Sequence, residues 1–97
     1  NHLKKLGMQV HTVTRPSHRG GSHDFFNLWD HIAISHQDTT VDNVVVPAGE
    51  TLYVQTKSRK IYGVDTLPFI EFPAKCKLCF VWTKQDNGRY IYSLQIF

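Results

Sequence analysis

"KCKLCFVWTKQDNGRYIYSLQIF", residues 75–97, reads as two strand-like runs around a turn. Asp86, Asn87 and Gly88 are turn formers, and both flanks are rich in aromatic and aliphatic residues, the signature of a β-hairpin. Side chains alternate between faces along a strand, so the register decides which residues share a side. A two-residue loop of Asn87 and Gly88 pairs Trp82 with Ser93 and Phe80 with Gln95, which mixes apolar with polar. A three-residue loop that includes Asp86 pairs Trp82 with Tyr92, Phe80 with Leu94 and Leu78 with Ile96. This second register collects the large apolar residues on one side, with Gly88 in the left-handed region as a bulge, and is the one expected. Cys76 joins the apolar face. The other face carries Lys75, Lys77, Cys79, Gln85, Arg89, Ser93, Gln95 and Phe97, together with Val81 and Ile91, so it is not purely polar.

Strand-like segments continue towards the N-terminus. "TVDNVVV" (40–46) runs into the turn "PAGE" (47–50), and "TLYVQT" (51–56) follows. "KSRK" (57–60) is a charged loop, "IYGV" (61–64) is strand-like, and "FIEF" (69–72) lies between Pro68 and Pro73 as a short edge strand would. "MQVHTVT" (8–14) reads as another short strand and "RPSHRGGS" (15–22) as a loop. In "DFFNLWDHIAIS" (24–35), Phe25, Leu28, Trp29 and Ile32 recur at helical spacing, with Ser22 or Asp24 as N-cap. "HIAIS" also alternates, but the spacing favours a helix over about 24–34. The expected fold is therefore mainly β, of the α+β class. It is a single domain, 1–97, with a small antiparallel sheet or barrel, one short helix at 24–34 and the hairpin at 75–97.

The chain has 97 residues, of which 41% are hydrophobic and 20% charged, enough for one core and too few for two domains. No run approaches ~18 apolar residues, so no membrane partner is expected. No signal-peptide pattern opens the chain, and its first residue is Asn1, as in a processed or excised chain. The net charge of +3 is mildly basic and suits an anionic partner without demanding one. Two cysteines are too few for a disulfide scaffold.

Cys76 and Cys79 have the C-x2-C spacing of half a zinc site, but an offset of three along a strand sends them to opposite faces, and no second ligand pair follows. All six histidines, His2, His11, His18, His23, His31 and His36, lie in the first 36 residues. On a helix, His23 and His31 would be separated by about 12 Å of rise, too far for one metal ion. No metal or other cofactor is expected. The same region could support acid–base chemistry: His18, His23 and His31 as proton carriers and Arg19 as phosphate cation would make a metal-independent ribonuclease. Nothing resembling a nucleophile elbow, a P-loop or a dinucleotide fingerprint occurs.

The cations form the leading candidate site. Lys57, Arg59 and Lys60 cluster on one loop, and Lys75, Lys77 and Arg89 lie on the outer hairpin face with Phe97 as an exposed ring. Clustered cations beside aromatic rings are what a single-stranded nucleic acid requires. The expected function is nucleic-acid binding, with RNA favoured. The alternatives are the histidine ribonuclease and a non-enzymatic β-sandwich module that binds protein or carbohydrate.

Overall fold

The structure, a computed structural model, describes residues 2–12 and 28–97. A short helix, α1 (His2–Lys5), leads into β1 (Gln9–Thr12), and β2 (His31–Ile34) follows after the undescribed stretch. A small hairpin of β3 (Thr39–Val41) and β4 (Val44–Val46) precedes the central strand β5 (Thr51–Lys57). A 3-10 turn (Gly63–Thr66) and helix α2 (Leu67–Glu71) then cross to β6 (Cys76–Lys84) and β7 (Tyr90–Ile96). The main sheet has five strands in the order β1-β2-β5-β6-β7, and β3–β4 forms a separate two-stranded sheet. The mainly β, α+β class is as the sequence implied.

The terminal hairpin adopts the expected three-residue loop. Trp82 lies opposite Tyr92, Phe80 opposite Leu94 and Leu78 opposite Ile96. Gly88 has φ of 83°, and the Gln85 amide donates to the Arg89 carbonyl at 2.7 Å to close the loop. The segment read as a strand at 8–14 contains β1, the one at 51–56 covers all but the last residue of β5, and "TVDNVVV" folds back on itself at Asp42, whose φ is 53°.

Four expectations are corrected. Residues 31–34 are strand β2, not the end of a helix, and residues 24–27 lie outside the described part. The alternation of "HIAI" prevails because β2 is held on both sides, by β1 and by β5. "FIEF" belongs to helix α2 instead of an edge strand, since Pro68 occupies the first helical turn, where its missing amide costs nothing. "IYGV" runs into the 3-10 turn. The sheet is also mixed: β5 and β6 are parallel, with Leu52 opposite Cys76 and Lys57 opposite Val81. A parallel pair needs a crossover, and residues 58–75 provide it.

The crossover explains why β6 is buried on both faces from Cys76 to Val81. On one face, Leu52, Val54, Leu78 and Phe80 pack with Leu3 and Met8 from the N-terminal segment and with Val41 and Val46 from the small hairpin. The other face lies under an aromatic cluster centred on Trp29, which is fully buried, with Phe69 at 5.2 Å, Phe72 at 5.5 Å and Tyr53 at 5.9 Å between ring centres. Gln55 donates to the Leu28 carbonyl at 2.8 Å and so holds Trp29 in place.

Lys77 is part of this second layer. Its ammonium donates to the carbonyls of Phe69, Ile70 and Phe72 at 2.8, 2.7 and 2.9 Å, closing the C-terminal end of α2. Helix ends leave carbonyls without intrahelical donors, and here a buried cation supplies the donors. Lys77→Met should strand these acceptors and destabilise the protein by roughly 2–4 kcal/mol, while Lys57→Met at an exposed position stays within about 0.5 kcal/mol of wild type. Urea unfolding of the two variants checks this; equal midpoints would exclude a structural role for the Lys77 ammonium.

Candidate functional site

The seven predicted nucleic-acid contacts do not form one surface. Lys77 is only 6% exposed and its donors are committed to α2, which removes it from the set. Phe97 is not an exposed ring either: it stacks on Phe69 at 5.0 Å between ring centres, and its amide donates to the Lys77 carbonyl. Both errors have one origin, the layer that the crossover lays over the outer face. Lys75 is exposed but stands at the far end of the sheet, with its ammonium 3.8 Å from Glu50. Lys57 is level with Val81 in the neighbouring strand, so about 20 Å of strand separates it from Lys75. Arg89 lies at the hairpin tip, opposite Gln85 and beyond Val81 in the other direction.

What remains is the loop after β5. Lys57, Arg59 and Lys60 are all exposed. Lys57 and Lys60 line an open groove of about 330 Å³ with Ile61, Tyr62, Asp65 and Phe69. Tyr62 is 71% exposed, and the Lys60 ammonium lies 6.0 Å from its ring centre. The loop is held from below: the Ile61 amide donates to the Gln95 side-chain oxygen at 2.9 Å, and Gln95 donates back to the Ile61 carbonyl at 2.7 Å. The Thr66 hydroxyl donates to the Gly63 carbonyl at 2.6 Å. The sequence offers Tyr62 only as one of a few rings, with Phe97 and Tyr53, able to face solvent, and does not place it among the predicted contacts.

The histidine site is only partly described. His18, His23 and Arg19 lie outside the described residues. His31 does have partners. Its Nδ1 shares a 2.9 Å hydrogen bond with the Thr12 hydroxyl directly across the β1–β2 pair, and its Nε2 lies 3.5 Å from the Asp30 carboxylate. Asp30 also accepts a hydrogen bond from Thr56, next to Lys57, so this group and the basic loop occupy the same end of β5. His11 and His36 are exposed elsewhere on β1 and after β2. Among the described residues, no group of three or more His, Cys, Asp or Glu side chains could hold a metal ion. No helix among them is long and apolar enough to cross a membrane. In comparisons with known proteins, the chain matches no family model, no curated protein and no solved structure.

The two thiols are unlike reactive cysteines. Cys79, expected to face outward, is fully buried, and burial pushes its thiol up to about 11 against an opposing pull from Lys57 and with a smaller push from Asp30. Burial also raises Cys76, with Glu50 adding to the shift and Lys75 opposing it. A thiol whose folded-state pKa is raised stabilises the fold below its unfolded value of about 8.5 and loses that contribution as the pH climbs through the folded value. Stability should therefore fall between pH ~8.5 and about 11, with Cys79 contributing roughly 2–3 kcal/mol of the loss. In Cys79→Ala the pH-dependent part of the urea midpoint shift should shrink; an unchanged slope would mean that other groups carry it. A thiol reagent at neutral pH should label neither cysteine until urea is added.

Proposed function

We propose that the protein binds single-stranded RNA at the groove beside the loop after β5. The observation that supports this most is the exposed Tyr62 ring with Lys60 over it and Lys57 and Arg59 on the same loop. A base stacks on an exposed ring whatever its sequence, and phosphates on either side meet cations. Asp65 at the groove repels phosphate and so favours a path along the lysine side. Binding of a fluorescent oligoribonucleotide should weaken with salt, with a log–log slope of about −2 for three neutralised phosphates. Tyr62→Ala should cost about 1–3 kcal/mol of affinity, and charge reversal at Lys57, Arg59 and Lys60 together should abolish binding. No binding at low salt, or equal binding by the reversed variant, would remove this reading.

A second reading rests on His31. Its placement between Asp30 and Thr12, at the same end of β5 as Lys57, supports use as a general base. The Thr12 hydroxyl then marks where a 2′-hydroxyl would meet Nδ1, and the Asp30 carboxylate, 3.5 Å from Nε2, would stabilise the imidazolium that forms. On this reading RNA is cleaved in EDTA and His31→Ala stops the cleavage. RNA that stays intact with the wild-type protein would exclude it.

A further inference from the structure

The groove beside the loop after β5 holds one residue that phosphate binding does not use. Lys57 and Lys60 line it, and so does Asp65, an exposed carboxylate. A carboxylate beside cations weakens their attraction for any polyanion. It favours a ligand only where that ligand offers donors, since an ionised carboxylate accepts hydrogen bonds and gives none.

The backbone fixes Asp65 close to the exposed ring. Its amide donates to the Tyr62 carbonyl at 3.2 Å and closes the 3-10 turn that Tyr62 caps. The two residues are thus one turn apart, and both line the groove. The Thr66 hydroxyl on the Gly63 carbonyl and the two bonds between Ile61 and Gln95 hold the turn from either side. A base stacked on Tyr62 has an edge to offer to this carboxylate.

The four bases differ in what that edge carries. Uracil has a single donor between two acceptors. Cytosine and adenine each set an amino donor beside a ring-nitrogen acceptor, which repels a carboxylate. Guanine alone has two adjacent donors, N1–H and the N2 amino group, to match the two carboxylate oxygens. Its O6, next along the same edge, is an acceptor for the lysines that line the groove. An arginine of a partner protein would offer paired donors too, but Lys57, Arg59 and Lys60 repel it.

We propose that Asp65 makes this site select guanine in single-stranded RNA. The inference rests on the RNA reading of the groove and adds to it the base that Tyr62 stacks.

Fluorescence anisotropy at low salt tests it with an oligouridylate and with versions that carry guanosine, adenosine, cytidine or inosine at one central position. The guanosine oligomer should bind roughly 5- to 150-fold tighter than those with uridine, adenosine or cytidine. Inosine keeps N1–H but lacks the N2 amino group, so its oligomer should fall between. Asp65→Ala should erase the preference and bind the plain oligouridylate at least as tightly as wild type does. Asp65→Asn, which keeps the side chain's shape, should lose most of the preference as well. Guanosine monophosphate, without neighbouring phosphates, should compete only at much higher concentration, and equal affinity for it would overturn the assignment to RNA. A preference that survives both Asp65 variants overturns the role of Asp65. Equal, salt-sensitive binding of all the oligomers overturns guanine selection and leaves RNA binding standing, whereas no binding of any oligomer overturns both.

Discussion

A lysine ammonium buried beneath the end of a five-residue helix holds the second layer of this fold together. α2 is too short to stabilise itself, because most of its backbone groups lack intrahelical partners. Lys77 replaces those partners with three charge-assisted hydrogen bonds to Phe69, Ile70 and Phe72. The same contact seats Phe69 and Phe72 against Trp29 and lets Phe97 stack on Phe69. It thereby places the Phe69 wall of the groove beside Lys60 and Tyr62. Desolvating an ammonium is costly, and the cost is offset here because all its donors find acceptors.

The terminal hairpin was legible from sequence because its information is local. Alternation along both strands and one glycine at the bulge distinguish two registers that differ by a single loop residue. The core face of β6 could be read for the same reason. Its other face could not. Lys77 and Phe97 look like solvent residues until the helix that covers them is placed, and that helix was hidden in "LPFIE" between two prolines. Pro68 at the start of a helix and Pro73 after its end are compatible with a helix as well as with an edge strand. "HIAI" failed for a related reason. Four residues satisfy either period, and the deciding contacts, β1 on one side and β5 on the other, are remote in sequence.

The candidate site was legible to the extent that it is local. Lys57, Arg59 and Lys60 are close in sequence and stay close in space. Lys75 and Arg89 are strand-end residues whose separation depends on how far β6 extends on either side of Val81. Tyr62 could be read as a ring able to face solvent, but a strand-like run does not show which of its rings stands beside the cations, and the 3-10 turn that follows it decides this. The histidines show the limit of spacing as evidence. His31 gains partners from Thr12, which is distant in sequence, and from Asp30, which is adjacent, and neither spacing resembles a motif.

Burial of both sheet faces constrains where any function can reside. A β-sheet that binds nucleic acid across its strands needs one open face with rings on it, and here β6 is buried on both faces from Cys76 to Val81, with Trp82, 37% exposed, only beyond that stretch. Ligand contacts must come from the loops at the strand ends or from the sheet edges. Among the described cations, Lys57, Arg59 and Lys60 gather at the end of β5 and the loop that follows it, and all three are exposed. Residues 90–97, which include β7, carry no charged side chain. The basic loop and β7 are joined where Gln95 grips Ile61. That grip ties the Lys60 and Tyr62 loop to the last strand of the sheet, so the loop keeps its place only while β7 stays in register with β6.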